Sequence, residues 1–327
     1  MRDVIVDTDV IRDALQLACR APSLHNSQPW RWISRGPAVD LFLDAARAPR
    51  YTDTTGREAV ISCGAVLDHF RVAMAASGWQ ANVDRFPNPN DLDHLASVDF
   101  TPMGFVTDGH RSRAEAILRR RTDRLPFAEP SNWEAFREQL AGSRASTDVR
   151  VDVLGEHMRP ELAKASELTA SLRLYDSPYH AELVGWTTDV GITEGIPASA
   201  LLSAAESDRV DIGRDFPTVP RAQRREEIAE DRAKVLVLST FDNTRSSHLR
   251  CGERLSSVLL DATMAGLATC VLTHLTEVAA SRHIVTTLVG DDVTPQVLVR
   301  VGQAPALDEH GPPTPRRPID DVFEARG

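Results

Sequence analysis

The chain has 327 residues, of which 42% are hydrophobic and 26% charged, and its formal net charge is −10. This composition is typical of a soluble globular protein with one large domain or two ordinary ones, and the acidic balance disfavours a nucleic acid or an anionic membrane as partner. We find no uninterrupted apolar run of membrane-spanning length and no signal peptide, so we expect a cytoplasmic protein without a membrane partner.

The four cysteines are Cys19, Cys63, Cys251 and Cys270, and no two of them form a C-x-x-C pair. This spacing argues against a disulfide framework and against a zinc ribbon. We expect reduced core residues and no metal site.

The first part of the chain alternates helical and strand-like patterns. Apolar residues recur at helical spacing over 9–20, and Pro22 should end that helix. Strand-like segments follow at 30–33 and 39–43. Residues 59–79 are apolar on most faces, which predicts a buried central helix.

The remaining pattern predicts further elements of both kinds. They are a strand at 96–100, helices at 110–121 and 133–140, a strand at 149–154, mixed helical sequence over 161–205, a strand at 235–240, a helix at 255–266 and a strand at 297–302. The segment 207–225 is the least regular of the interior, and either a lid or binding loop or a disordered linker would explain it.

The stretch Ala21–Trp30 has an unusual composition, with two prolines, two serines, Asn, Gln, His and Trp in ten positions. Pro22 and Pro29 should make it a stiff, extended loop. Such a loop is suited to edge-on hydrogen bonding of a flat polar ligand. The alternative is a helix stop, with Ser23 and Asn26 capping turns and Trp30 beginning a core strand.

The chain also resembles itself at an offset of 188 residues. Cys63-Gly64 then falls on Cys251-Gly252, Leu67 on Leu255 and Gly78 on Gly266. A duplicated central helix would imply two copies of one α+β unit packed about an internal two-fold. Chance similarity between two helices rich in Ala and Leu is the alternative.

Four motifs together resemble the FMN-dependent nitroreductase family. Residues 21–30 resemble its APSxxNxQPW signature, and Arg120-Arg121-Thr122-Asp123-Arg124 resembles its R-x-S-x-R phosphate motif. Residues 266–274 are similar to its glycine-led segment beneath the flavin ring, and 316–322 to its C-terminal basic motif. The first motif is fairly specific, and the other three gain weight from their order.

The resemblance implies an α+β fold with central buried helices and mostly antiparallel sheets. The loop motif occurs only in the first half and the other three only in the second, which is similar to the fused, two-copy branch typified by mycobacterial Acg-type proteins. We therefore expect a first nitroreductase-like half at 1–108, a second at 109–327 with a lid-like insertion around 186–225, and one FMN assembled between them in a monomeric pseudo-dimer.

The resemblance also implies the FMN-binding residues. They are Pro22, Ser23, Leu24, His25, Asn26, Gln28, Arg120, Thr122, Arg124, Val271, Leu272, Thr273, His274, Arg316 and Arg317.

Chemistry agrees with this assignment, because a phosphate monoester carries roughly −1.5 to −2 charge and is matched by forked Arg donors and a hydroxyl. The alternative for residues 119–124 is a solvated helix end. Ser23, Asn26 and Gln28 would bond the polar edge of the flavin or hold the loop that does so. The backbone N–H of Thr273 is implied near flavin N5, and His25 would contact substrate or fill space over the ring.

Three functions follow as hypotheses. The first is an FMN-dependent oxidoreductase that takes hydride from NADH or NADPH and reduces a small molecule such as a nitroaromatic or quinone. The second is a protein that stores or shelters FMN beneath the 186–225 segment. The third, an Arg-patch nucleic-acid binder, is disfavoured by the acidic balance. The sequence compels no catalytic acid or base.

Overall fold

The computed structural model describes residues 5–142, 148–188, 193–305 and 313–326. Its α-helices are α1 (Thr8–Ala18), α2 (Arg57–Ala76), α3 (Asp108–Arg119), α4 (Trp133–Gly142), α5 (Arg159–Arg173), α6 (Ser177–Thr187), α7 (Ala204–Ser207), α8 (Arg245–Met264), α9 (His274–Glu277) and α10 (Ala279–Val289). Its strands are β1 (Trp30–Arg35), β2 (Ala38–Leu43), β3 (Trp79–Arg85), β4 (His94–Pro102), β5 (Val149–Leu154), β6 (Lys234–Thr240), β7 (Ala268–Leu272), β8 (Thr294–Gly302) and β9 (Phe323–Arg326).

The chain forms two compact units that are not two consecutive halves. The first unit comprises residues up to Arg120, Thr244–Leu260 and the tail from Pro315, and the second comprises Arg121–Asn243 and Asp261–Thr314. This division differs from the predicted boundary between 108 and 109. The reason is packing, because α8 contacts α2 through Gly64 and Gly252 and β9 pairs with β1, which draws both late segments into the first unit.

A five-stranded sheet of order β3-β4-β2-β1-β9 forms the first unit's framework. Its strands pair antiparallel, except that β9 runs parallel to β1. Trp30 and Trp32 of β1 are fully buried, and the Trp32 ring lies 5.0 Å from that of Phe70 on α2. Helix α1 begins where Asp7 caps it and buries Ile11 and Leu15 against this core.

Helix α2 is long and apolar enough to cross a membrane by length and composition alone. In the structure, 78% of that apolar window is buried inside the protein. A core helix passes the same test, and Phe70 and Met74 are fully buried within the first unit. The prediction of a buried central helix is therefore confirmed.

Helices α2 and α8 touch backbone to backbone at two glycines. A Cβ on Gly64 would lie 2.0 Å from the carbonyl oxygen of Leu249, and a Cβ on Gly252 would lie 2.0 Å from that of Ile61. The two Cα atoms are so close that each would lie within 2.9 Å of the other residue's added Cβ. The contact is reciprocal, and its partners are the residues that the internal repeat makes equivalent.

The second unit is built on a four-stranded antiparallel sheet of order β5-β6-β8-β7. The first sheet has the corresponding order β1-β2-β4-β3, again with a long helix between its second and third strands in chain order. A register irregularity also interrupts the equivalent pairs β2–β4 and β6–β8. This agreement supports the interpretation of an internal duplication, and the α+β fold with mostly antiparallel sheets is confirmed.

Several elements escaped sequence reasoning. Strand β3 begins directly after the turn at Gly78, whose φ is 87°, whereas the predicted helix ran through residue 79. Strand β3 does alternate, with Trp79, Ala81 and Val83 between polar residues, but the predicted helix includes its first residue. Strand β9 has only four residues, which is too short for a clear pattern. Helix α8 begins ten residues before its predicted start at 255. The sequence did not indicate these first turns because they are rich in Arg, Ser and His.

Candidate functional site

The loop that precedes β1 has a strained backbone. Ser23 is extended, residues Leu24–Asn26 form one 3-10 turn, and φ is 51° at His25, 59° at Asn26 and 50° at Gln28. Positive φ is sterically costly for residues with a Cβ, although Asn and His tolerate it better than most. Strain of this kind persists only where the surroundings enforce it, and it clusters at functional sites.

Hydrogen bonds within the first unit enforce this conformation. The Ser23 hydroxyl accepts the Gln28 N–H at 3.0 Å, and the Ser62 hydroxyl on α2 accepts the Leu24 N–H at 3.2 Å. His25 Nε2 lies 3.2 Å from the hydroxyl of Thr52. Ser23 therefore holds the loop, which is one of its two predicted roles.

The C-terminal tail completes the loop. Asn26 Nδ2 donates to the Pro315 carbonyl at 3.1 Å, and Gln28 Oε1 accepts the Arg317 N–H at 2.9 Å. Arg316 donates to the carbonyls of Cys19 at 2.9 Å and of Arg20 at 3.0 Å, so it caps the end of α1. The structure thus brings the first and fourth motifs together within one unit.

Arg120 follows α3 and also points at the end of α1. It is 6% exposed, and its Nη2 donates to the Arg20 carbonyl at 3.4 Å. The alternative of a solvated helix end is therefore wrong for Arg120. At this end of α1, burial raises the pKa of the Cys19 thiol to about 12, which keeps Cys19 a protonated core residue.

The remaining phosphate-motif residues lie in the second unit. Thr122 forms a parallel bridge with Thr269 of β7, and the Thr269 carbonyl accepts the Asp123 N–H at 2.9 Å. The Arg124 guanidinium lies over the ring of Phe216, 5.1 Å from its centroid. Among the residues that the structure describes, this guanidinium has neither a hydrogen bond nor an ion pair. Burial lowers the pKa of Arg124 and the nearby charge of Arg214 lowers it further, while Cys270 and Asp123 oppose this shift in part.

The glycine-led segment continues through β7 to Thr273 and the short helix α9. The Thr273 hydroxyl donates to Glu277 at 2.7 Å and accepts from Arg214 Nη2 at 3.0 Å. Arg214 and Glu277 form a buried ion pair, with side chains 6% and 1% exposed, and Arg214 also donates to the Tyr179 hydroxyl at 2.9 Å. Burial alone would lower the pKa of Arg214, but the Glu277 charge outweighs it and raises that pKa.

His274 is buried beside this ion pair. Its Nε2 lies 2.9 Å from the Ser166 hydroxyl, which donates to the Gly213 carbonyl at 3.0 Å. The ring therefore carries its proton on Nε2. Burial, reinforced by Arg214, holds the pKa of His274 well below its ordinary value, so the ring is neutral at pH 7. Gly213 and Arg214 thus attach the 207–225 segment to the residues around Thr273.

The structure sorts the predicted site residues into two groups. Those gathered in the first unit are Pro22, Ser23, Leu24, His25, Asn26, Gln28, Arg120, Arg316 and Arg317. Those in the second unit are Thr122, Arg124, Val271, Leu272, Thr273 and His274. Sequence reasoning missed Arg214 and Phe216, although it marked the 207–225 segment as irregular. In the described part of the chain, no cluster of His, Cys, Asp or Glu could hold a metal ion.

Comparison with known proteins shows the family to which the chain belongs. No family model matches it. It is 65% identical to the Mycobacterium tuberculosis H37Rv protein named "Putative NAD(P)H nitroreductase acg". The match spans 326 residues, which is 100% of this chain and 98% of that protein. The chain belongs to the nitroreductase family, in its Acg-type branch.

The chain is similar to further proteins as well. A second M. tuberculosis H37Rv protein, named as an NAD(P)H nitroreductase, is 38% identical over 322 residues, which is 97% of this Acg-type chain and 92% of that protein. Among solved structures, the FMN- and NADPH-dependent nitroreductase NfnB from Sphigopyxis sp. strain HMH covers 66% of this chain and 99% of its own, at 17% identity and a TM-score of 0.42.

Proposed function

We propose that the chain is an FMN-binding oxidoreductase that takes reducing equivalents from NADH or NADPH and passes them to a small acceptor such as a nitroaromatic or a quinone. The observation that carries this proposal is the Arg124 guanidinium. It is partly buried and stacked on Phe216, and among the described residues it forms no hydrogen bond or ion pair, although the charge of Asp123 acts on it from farther away.

The residues of the second unit fit a phosphate monoester. Burying a cation without a directly bonded counter-charge is unfavourable, and Arg214 adds to that cost while Asp123 offsets it only in part. A phosphate dianion would reverse both effects, since it accepts forked guanidinium donors and a hydroxyl such as that of Thr122. The Arg-x-Thr-x-Arg segment occurs once in the chain, so we propose one FMN for each chain.

Bound FMN supplies the redox chemistry, in which its ring accepts a hydride and later gives up electrons. The chain supplies binding and orientation. Thr273 has its side chain engaged by Glu277 and Arg214, so its role near flavin N5 would fall to its backbone N–H. Ser23, Asn26 and Gln28 hold the strained loop, and their contact with the flavin ring stays a prediction, as does the cytoplasmic location.

Storage of FMN is a second candidate, and one specific observation favours it. The 207–225 segment is fixed by the buried Arg214–Glu277 pair and by the Ser166 bond to Gly213, and it places Phe216 against Arg124. A segment whose residues are hydrogen-bonded to buried neighbours opens less readily than an exposed loop. This arrangement would keep nicotinamide away from a bound flavin.

Anaerobic reduction separates the two candidates. The purified protein should show flavin absorbance, and excess NADH or NADPH should bleach it within turnover times if the chain is a reductase. Bleaching by dithionite but by neither nicotinamide would support storage. A colourless protein that takes up no added FMN would contradict both.

The phosphate assignment predicts a selective effect of Arg124→Ala. Loss of a charge-assisted bond of about 1.5–3 kcal/mol should weaken FMN binding roughly 10- to 100-fold. Riboflavin lacks the phosphate, so its affinity should change little. Flavin fluorescence titration measures both, and Arg119→Ala is the matched control because Arg119 is exposed at the end of α3. Equal losses for both flavins would count against the assignment.

A further inference from the structure

The segment that carries Arg124 is held along almost its whole length. We call Thr122–Ala128 the clamped segment. It begins at the bridge between Thr122 and Thr269 and ends at a bridge between Ala128 and Gln303, where each N–H donates to the other residue's carbonyl at 3.0 and 2.9 Å. Between these two bridges the backbone is bound mainly by side chains from distant parts of the second unit.

Arg300 and Asp231 form the centre of the network that holds the clamped segment. Arg300 is 1% exposed and donates to Asp231 through Nε at 3.0 Å and Nη2 at 2.5 Å, a bidentate pair. Its Nη2 also donates to the Leu125 carbonyl at 3.1 Å, and its Nη1 lies 3.5 Å from the Arg124 carbonyl. Asp231 Oδ1 accepts the Phe127 N–H at 2.8 Å. The pair therefore holds the backbone at Arg124 and on both sides of Pro126.

Arg225, the last residue of the 207–225 segment, also binds the clamped segment. It donates to Asp123 Oδ2 at 2.6 Å, and its Nη1 lies 3.4 Å from the Pro126 carbonyl. The ring of Phe127 is contacted by both cations, with Arg300 at 4.9 Å and Arg225 at 6.0 Å from its centroid. Unlike Arg225 and Arg300, Arg124 forms no ion pair among the described residues.

Stability alone does not explain such a network. Removing two charges from water costs about as much as their attraction returns, and well-packed apolar residues often serve a core equally well. A bidentate guanidinium does fix geometry, because its planar fork binds a carboxylate and neighbouring carbonyls in set directions. The network is therefore suited to fixing the direction in which the clamped segment presents Arg124.

We infer that Arg300 and Asp231 are positioning residues for phosphate recognition, which act by fixing the backbone from which Arg124 reaches the phosphate. This inference rests on the proposed binding of FMN through Arg124. It extends the phosphate site to two residues that lie outside the recognised motifs, and it gives a role to the fixed geometry of the clamped segment.

The test compares FMN with riboflavin, because only FMN carries the phosphate. Arg300→Lys keeps the buried positive charge but loses the fork, and Arg300→Met removes the charge as a second variant. Dissociation constants for both flavins are measured by fluorescence titration for the full chain. We expect Arg300→Lys to lower the preference for FMN over riboflavin about tenfold, with the riboflavin constant changed less than about twofold.

A double variant shows whether Arg300 acts through Arg124. In the Arg124→Ala background, Arg300→Lys should produce no further loss of FMN preference, because the side chain that it positions is gone. Arg85→Met is the matched control, since Arg85 forms a bidentate pair with Glu253 in the first unit, whereas the clamped segment belongs to the second. This control should leave the preference unchanged.

Three results would overturn the inference. One is an unchanged preference in both Arg300 variants while Arg124→Ala abolishes it, which would leave the proposed FMN site intact. Another is a parallel loss for both flavins, which is what general destabilisation would cause. The third is a wild-type protein that binds FMN no better than riboflavin, and this result would remove the phosphate assignment itself.

Discussion

At the scale of single residues, two of the buried histidines have strongly lowered pKa values. His69 Nδ1 lies 2.8 Å from the Ser256 hydroxyl, which donates to Asp68 at 2.6 Å, and His274 Nε2 lies 2.9 Å from Ser166. The second ring nitrogen of each is buried with no hydrogen-bond partner among the described residues. Burial, reinforced by nearby arginines, holds both pKa values well below the ordinary value of a histidine.

We therefore predict that stability falls with acidification below about pH 6.5. Below that pH the unfolded chain protonates these histidines while the folded chain keeps them neutral. The free energy of unfolding therefore falls by up to about 1.4 kcal/mol per pH unit for each histidine, until its folded pKa is reached. His274→Gln keeps the bond to Ser166, and His69→Asn keeps the bond to Ser256. Each should reduce the pH dependence of urea unfolding between pH 6.5 and 5.5 by about that amount. His283→Gln, at an exposed position, is the control, and an equal reduction there would contradict the prediction.

At the scale of elements, the crossing of α2 and α8 depends on the absence of two side chains. An added Cβ at Gly64 would lie 2.0 Å from a backbone oxygen of α8, and one at Gly252 would lie 2.0 Å from a backbone oxygen of α2. Backbone atoms cannot yield as a flexible side chain can. The helices would therefore have to separate, which would loosen the buried bonds of Asp68 and Ser256 beyond the glycines.

We predict that Gly64→Ala and Gly252→Ala each destabilise the protein by about 3 kcal/mol, the upper range for overpacking a core. Gly185→Ala is the control, because Gly185 lies within α6 with no atom near its missing Cβ. That change should leave stability unchanged or raise it by about 0.4–1 kcal/mol. Chemical denaturation of the three variants decides the matter, and similar midpoints for all three would contradict the close approach.

The residues and elements discussed so far differ in how far the sequence predicted them. The buried helix α2 and the repeat at Gly64 and Gly252 were predictable because apolar periodicity and self-similarity are local patterns. The loop at 21–30 was recognised by its composition, but its three positive φ values depend on bonds to Ser62 and the tail. The sequence did not indicate Arg300 as a site residue, because it lies in a predicted strand far along the chain from Arg124.

At the scale of the whole molecule, the chain returns at its end to the unit in which it began. Strand β9 pairs with β1, and Val322 and Phe323 are 1% and 7% exposed within the first unit's core. Arg316 and Arg317 hold the end of α1 and the loop before β1. The tail is thus a structural part of the first unit.

We predict that deletion of the tail from Pro315 onwards loosens the first unit selectively. Amide hydrogen exchange should rise at 19–35, which would lose the β9 ladder and the Arg316 and Arg317 bonds, while β5 and β6 of the second unit should keep their protection. Mass spectrometry of the full-length and shortened chains measures both regions. Unchanged exchange at 19–35, or an equal rise in β5 and β6, would show that the tail has no such selective role.

By itself, the sequence determined the α+β class, the central helices, the internal repeat and the residue types of the four motifs, because each is written in neighbouring residues or in the chain's likeness to itself. Only the tertiary structure decided that Arg316 caps α1, that Arg214 is paired with Glu277, and that Arg124 is left without an ion pair among the described residues. The physical reason is that a guanidinium is recognised by type in a sequence, whereas its partners come from segments that only folding brings within hydrogen-bonding distance.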